Sequence, residues 1–373
     1  LSASPLWLIV HLDDENLVHS PKDGTLIMQL DYHSLVVDRV IPETSQASTL
    51  AFQIPEALKS EFQFQPGQFL TLRIPREDCF SPRCYSISSG PNDSIAVTIK
   101  RVPGGFGSNW LLDQVKAGDR LAVRAPSGRF TVRASERPLV FFAGGSGITP
   151  MMSILRHQSA SMAPRKMALF YANQSRDQVI FGDSLRALAQ DPGGPLVLTE
   201  WLDEERGFAG VQDIRGFAEA WRSAHFMVCG PTPFMKLVVE TLEEMGVSPE
   251  EIQTERFQSL ADEPLESMLS HPVSEISSDA CESSSLTVEV SGETHHLLVR
   301  SDETLLSAIE RAGVVVPYSC REGSCGSCMG KLVEGEVEMD VTDALSEREL
   351  QRGYVLTCQA RPRSAQLRLD IDA

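Results

Sequence analysis

Cys320-Arg-Glu-Gly-Ser-Cys325-Gly-Ser-Cys328, answered thirty residues later by Cys358, decides how the rest of this 373-residue chain is read. A C-x₄-C-x₂-C run with a distant fourth cysteine is a spacing that holds a [2Fe–2S] cluster. Two irons bridged by two sulfides need four thiolates, and three of them must converge from one tight loop. Gly323 and Gly326 let that loop curl, and Ser324 and Ser327 are small enough to leave room for the inorganic sulfides. The plainer alternative is zinc. Structural zinc favours paired C-x₂₋₄-C units or added histidines, whereas here a triplet faces a lone cysteine in Tyr354-Val-Leu-Thr-Cys-Gln-Ala-Arg-Pro362. The expected metal ligands are Cys320, Cys325, Cys328 and Cys358.

The length suits two or three domains, and the apolar and charged fractions are those of a globular protein. Once four of the eight cysteines hold iron, Cys79, Cys84, Cys229 and Cys281 show no pairing pattern, which suits a reducing cytoplasm. No stretch approaches the ~18 apolar residues of a membrane span. Leu6–Val10 is too short, and lacks the basic flank, for a signal peptide. The net charge of −18 is densest late in the chain: residues 258–285 carry six acids and no base, and 286–373 carry fifteen acids against nine bases. Such acidity argues against nucleic acid and for docking onto a basic protein patch, or simply keeps the chain in solution. Glu322, Glu334, Glu336, Glu338 and Asp340 are the expected docking acids.

Working outward, residues 1–33 form an extension without an assigned role. Residues 34–135 read as a small antiparallel β-barrel. Leu35–Ile41, Thr49–Ile54, Phe69–Ile74, Ile95–Lys100 and Arg120–Arg124 are short apolar or alternating runs parted by Gly, Pro and Asp. Within it, Arg83-Cys-Tyr-Ser86 ends a strand, and Gly104-Gly-Phe-Gly-Ser108 opens a helix whose free N–H groups suit a phosphate. Each signal is weak alone; their order, and the glycine turn downstream of them, give them weight. Residues 136–257 switch to an α/β pattern with a parallel sheet. Pro138–Ala143 runs into Gly144-Gly-Ser-Gly-Ile-Thr-Pro150 and a helix, a strand–turn–helix site for a nucleotide pyrophosphate, although not a G-x-G-x-x-G fingerprint. Cys229-Gly-Pro231 ends a later strand at the ligand-binding carboxyl edge; a buried structural cysteine is the plainer reading of Cys229. Residues 258–285 read as an acidic, serine-rich linker. Residues 286–373 form the α+β cluster module, with a hairpin around Ser291-Gly292 and a helix capped by Ser301 or Asp302 that runs to Gly313.

With these words in place, the chain resembles the ferredoxin–NAD(P) reductase superfamily, and within it the flavin–nicotinamide–ferredoxin reductases that serve bacterial oxygenases. Pro66-Gly-Gln-Phe-Leu-Thr-Leu-Arg-Ile-Pro75, Ser108-Asn-Trp-Leu111, Val179-Ile-Phe-Gly-Asp183 and Ser319-Cys-Arg-Glu-Gly323 are similar to reductase components of 3-ketosteroid 9α-hydroxylases, while phenylacetyl-CoA epoxidase reductases share most of them. The resemblance implies a β-grasp plant-type ferredoxin module and FAD in preference to FMN. It places Arg83 on the flavin diphosphate, Tyr85 along the ribityl chain and ring, Ser86 near flavin N5, and Gly105, Gly107 and Ser108 on the pyrophosphate. Gly145, Gly147 and Thr149 would hold the dinucleotide, with Cys229 facing nicotinamide C4 and Glu255 and Phe257 close by. Cys84, Lys100, Pro150, Gly230 and Pro231 complete the expected cofactor contacts. Ser86, Cys229 and Glu255 are the expected catalytic set. Arg176 stands where relatives tend to carry acids, so NADPH competes with the expected NADH.

The implied function is electron transfer from NAD(P)H through FAD and the cluster to a terminal, Rieske-type oxygenase, with 3-ketosteroid 9α-hydroxylase the leading partner. Alternatives are another oxygenase reductase, a stand-alone NAD(P)H dehydrogenase acting on a quinone or hybrid-cluster protein, and a non-enzymatic redox-responsive binding protein.

Overall fold

A computed structural model describes residues 17–19, 26–28, 32–76, 79–90, 93–191, 194–257, 263–264, 283–318, 321, 323, 325–342, 344–345 and 347–372. Most of the N-terminal extension and the linker lie outside these residues, as do Cys281, Cys320, Glu322 and Ser324.

The first sheet is antiparallel throughout and carries the strands His33–Thr44, Ala47–Gln53, Phe69–Pro75, Cys79–Ser86, Ala96–Lys100 and Arg120–Val123. Its ends meet: Ile87 bridges to Val97, and the Ser88 N–H donates to the Ala96 carbonyl at 2.9 Å. The sheet thereby closes into a barrel around Leu35, Leu50, Phe52, Leu70, Leu72, Val97 and Ile99. These residues belong to apolar runs whose alternation supplies an inner face. Glu263–Pro264, inside the stretch read as linker, adds two residues to the edge at Cys79–Phe80.

The second sheet is parallel, in the spatial order Leu196–Leu202, Met167–Asn173, Leu139–Gly144, His225–Cys229, Ile252–Glu255. Leu139–Gly144 is buried at every position, as expected of a strand covered on both faces. The chain steps outward from it in both directions, so its carboxyl end, beside Cys229, is the topological switch point where such sheets bind ligands.

The third unit pairs Ser283–Val290 with Glu293–Arg300 as a hairpin and with Gln366–Asp370 in parallel. Met329–Glu334 and Tyr354–Leu356 complete the sheet, and Leu305–Arg311 packs Leu305, Leu306, Ala308 and Ile309 into its core. That helix is capped by Thr304, whose hydroxyl accepts the Ser307 N–H at 3.3 Å, and not by Ser301 or Asp302. Glu303 is the reason: its carboxylate turns back to the Arg300 N–H and to Arg311, which delays the first helical turn. Among the described residues no helix is long and apolar enough to cross a membrane.

Candidate functional site

The barrel's contribution lies at the end of Cys79–Ser86. Ser86 is buried and Tyr85 packs against the barrel core, where burial pushes its phenol pKa up against the opposing pull of Arg83. Cys84 sits 3.4 Å from the Thr71 hydroxyl on the neighbouring strand. Arg83 lies along the start of the Phe106–Gln114 helix: a Cβ on Gly107 would come within 2.9 Å of its Cγ. Gly104 turns with φ +72°, and the Ser108 hydroxyl accepts the Val102 N–H at 3.1 Å, which folds the loop back toward Gly105. Glycines that keep a helix N-terminus open beside an arginine fit a flavin diphosphate.

The nucleotide sheet contributes two loops in backbone contact. A Cβ on Gly147 would lie 2.1 Å from the Cys229 carbonyl oxygen, and one on Gly144 would lie 2.7 Å from Pro231. Gly147 has φ −60°, so space and not conformation demands glycine there. Gly230 closes the same contact, with its Cβ position 2.9 Å from the Gly144 nitrogen. Thr149 and Pro150 are buried in the first turn of Ile148–Ser159, and the Thr149 hydroxyl donates to the Ser146 carbonyl at 3.0 Å. Tyr171, unremarked in the sequence, donates to the Gly145 carbonyl at 3.1 Å. Lys100 reaches across from the barrel to Gln178 at 3.3 Å and lies 3.4 Å from the Cβ position of Gly145; burial lowers its pKa.

The three expected catalytic side chains converge. Cys229 and Glu255 are register partners in adjacent strands, and Ser86 meets the Glu255 carboxyl at 3.5 Å from the other sheet. Glu255 keeps some exposure, yet its carboxyl end is enclosed by protein, and that burial raises its pKa to about 8, with the Ser86 contact opposing. Cys229 is fully buried, and burial, then the Glu255 charge, drives its thiol pKa well up. It is therefore a neutral thiol and no nucleophile. Phe257 stays 47% exposed just beyond the strand.

Glu255 carries a pH consequence. A carboxyl protonated in the folded chain and ionised in the unfolded one binds more protons when folded. Its contribution is therefore present at low pH and is lost as pH rises from about 4.5 toward 8. The thermal midpoint of Glu255→Gln should fall less steeply than that of the parent between about pH 5 and pH 8. Parallel curves would show that Glu255 ionises normally.

Arg176 is not poised alone. Its guanidinium binds Glu205 at 2.9 Å and its backbone N–H donates to Glu204 at 2.9 Å, both from the segment after Leu196–Leu202. Asp203-Glu204-Glu205 is a run visible in the sequence whose place only the sheet order reveals.

At the cluster loop, Cys325, Cys328 and Cys358 lie among the described residues and Cys320 lies outside them. Cys328 and Cys358 bring their sulfurs to 3.2 Å from segments thirty residues apart. The Thr357 hydroxyl donates to the Cys328 carbonyl at 3.0 Å, and Gln359 donates to the Arg321 carbonyl at 3.0 Å, tying the two segments together. Gly323, at φ +75°, has Val341 within 3.0 Å of its Cβ position. Convergent thiols in a tight glycine turn fit an iron–sulfur cluster. Of the expected docking acids, Glu338 and Asp340 form ion pairs with Arg363 and Arg361, so part of that charge is answered within the module.

A flavin-type barrel, a switch-point nucleotide sheet and a thiol-lined loop define an NAD(P)H-dependent flavin iron–sulfur oxidoreductase. Residues 35–132 match the oxidoreductase FAD-binding domain, 141–240 the oxidoreductase NAD-binding domain and 288–363 the 2Fe-2S iron-sulfur cluster binding domain. The chain belongs to the ferredoxin–NAD(P) reductase superfamily, among the reductases that join these three domains. It is 38% identical, over 90% of its own length and 96% of the relative's, to the ferredoxin reductase component of 3-ketosteroid-9-alpha-monooxygenase from Rhodococcus rhodochrous. It is 30% identical to the reductase component of glycine betaine monooxygenase from Pseudomonas aeruginosa, covering 87% of this chain and 92% of that one. Phthalate dioxygenase reductase shares the fold, with a TM-score of 0.55 at 22% identity over 91% of this chain and 98% of the other.

Proposed function

We propose that this protein is the reductase component of a two-component oxygenase in the cytoplasm, with a 3-ketosteroid 9α-hydroxylase as its partner. The observation that carries the reading is the meeting of Ser86, Glu255 and Cys229 at the junction of the two sheets, with the cluster loop on the same chain. FAD, when bound, would supply a group able to accept two electrons as a hydride and release them one at a time, which suits a one-electron iron–sulfur centre. The chain's own residues supply position and electrostatics. Arg83 and the N–H groups at Gly105, Gly107 and Ser108 would hold the flavin diphosphate, and Tyr85 would pack along the flavin. Gly145, Gly147 and Thr149 seat the dinucleotide. Cys229 would present an uncharged sulfur to the nicotinamide, and Ser86 with Glu255 would orient the flavin edge beside it. Lys100, bridging to Gln178, keeps the two domains in register. Cys320, Cys325, Cys328 and Cys358 would hold the cluster.

The preferred nucleotide is NADH. The Arg176 guanidinium pairs with Glu205 and its backbone N–H with Glu204, and acids at the end of that strand would repel a 2′-phosphate and accept ribose hydroxyls. Arg176→Ala should leave kcat/KM for NADH within about twofold, and NADPH should serve poorly before and after the change. If Arg176 instead held the phosphate, NADPH efficiency would fall tenfold or more, the worth of a charge-assisted bond of about 1.5–3 kcal/mol.

The partner is tested by mixing the reductase with candidate terminal oxygenases and measuring NADH oxidation coupled to product. Coupling to a steroid 9α-hydroxylase oxygenase supports the proposal. Coupling only to another oxygenase, such as a phenylacetyl-CoA epoxidase or a glycine betaine monooxygenase, would assign the chain there instead.

A further inference from the structure

One short barrel segment, Arg124-Ala-Pro-Ser-Gly-Arg-Phe130, makes three separate contacts with the cluster module. The Ser127 hydroxyl donates to the Ser327 hydroxyl, inside the cluster loop, at 2.9 Å. The Arg129 guanidinium donates to the Ile371 carbonyl at 2.9 Å. The Arg124 guanidinium lies over the rings of both Tyr32 and Tyr318, 4.7 and 5.6 Å from their centroids, and Arg321 covers Tyr318 at 4.5 Å. Cation–π stacking of this kind joins the barrel to the residues that lead into the cluster loop. Farther out, Arg348 and Arg352 reach Glu243 and Glu250 of the nucleotide domain at 3.2 and 3.3 Å, exposed pairs worth little individually.

Ser127 differs from an ordinary surface serine in what holds it. Its N–H and carbonyl exchange hydrogen bonds with Phe69 at 3.0 and 2.8 Å, and Phe69 is the register partner of Ser86. Ser327 is 2% exposed and is covalently next to Cys328. A continuous run therefore leads from Ser86 through Phe69 and Ser127 to Ser327 and Cys328.

We propose that the 124–130 segment is the seat for the cluster loop, and that Ser127 and Ser327 are positioning residues that hold the cluster where it takes electrons from the flavin. This rests on the flavin-to-cluster order given under Proposed function. The seat is a docking equilibrium, because two hydroxyls and a stacked arginine can part without unfolding either module. Losing one neutral hydrogen bond shifts such an equilibrium by about fivefold.

The test uses the full-length, cofactor-loaded protein and the variants Ser127→Ala, Ser327→Ala, the double variant and Ser127→Thr. Anaerobic mixing with NADH resolves flavin bleaching from cluster bleaching, and hydrogen exchange reports the amides of 327–329. Expected are unchanged flavin bleaching, cluster bleaching about fivefold slower in each alanine variant, and faster exchange at 327–329. The double variant should be no worse than either single one, and Ser127→Thr, which keeps the hydroxyl, should recover. Unchanged cluster bleaching and exchange in both alanine variants, or losses that simply add, would overturn the seat. A parent protein whose flavin NADH does not bleach would remove the underlying function, an outcome separable from failure of the seat alone.

Discussion

Cys328→Ser should abolish NADH-driven cytochrome c reduction, by roughly a hundredfold or more, while ferricyanide reduction stays within about twofold of the parent. Ferricyanide takes electrons directly from flavin, whereas cytochrome c takes them from the cluster. The substitution is close to isosteric and acts on chemistry, not on fold. Cys328 is 3% exposed, and its carbonyl remains held by the Thr357 N–H and hydroxyl whichever side chain it carries. What disappears is a sulfur that faces Cys358 across 3.2 Å and that iron would hold as a thiolate, a ligand the serine hydroxyl does not match. Iron content should drop while flavin content holds. A variant in which both activities fall together with flavin still bound would contradict the serial route.

Gly147→Ala should cost the protein its reaction with NADH, about a hundredfold in kcat/KM with either acceptor, while flavin and iron contents persist. The added methyl would stand 2.1 Å from the Cys229 carbonyl oxygen and 2.4 Å from its carbon, both backbone atoms that no rotamer change can move. The Gly144–Thr149 turn and the Cys229–Pro231 loop must separate by roughly an ångström, in the cleft where hydride transfer is aligned. Dithionite, which needs no nucleotide site, should still reduce flavin and cluster normally. Gly104→Ala is the useful comparison: nothing lies within 4 Å of its Cβ position, and only the strain of φ +72° opposes it. Its effect should be small and confined to flavin retention. Normal NADH kinetics in Gly147→Ala would mean that the dinucleotide does not lie against this junction.

The elements legible in the sequence are those whose chemistry is local. A cluster loop needs its thiols a few residues apart, and a pyrophosphate turn needs glycine between a buried strand and a helix, so both can be read in one short window. The barrel strands were legible where apolar runs met Gly, Pro or Asp. The missed strands of the third unit, Met329–Glu334, Val337–Met339, Tyr354–Leu356, Ala360–Pro362 and Gln366–Asp370, are short, and their order comes from partners far away: Ser283–Val290 pairs with residues eighty positions later. Separation along the chain likewise hid the pairing of Arg176 with Glu205, of Asp340 with Arg361, and of Ser127 with Ser327 across two hundred residues. Ser301 and Asp302 lost the helix cap to Thr304 because the buried Glu303 turns its carboxylate back to the Arg300 N–H and to Arg311, a competition that capping preference alone does not weigh.

The most direct test of the account is anaerobic rapid mixing of the full-length protein, loaded with FAD and iron, with excess NADH while both chromophores are tracked. Flavin absorbance should fall first and cluster absorbance in a distinct later phase, with the later phase lost in Cys328→Ser. A cluster that stays oxidised beside fully reduced flavin, or one that bleaches before the flavin does, would contradict the transfer of electrons from NADH through FAD to the [2Fe–2S] centre.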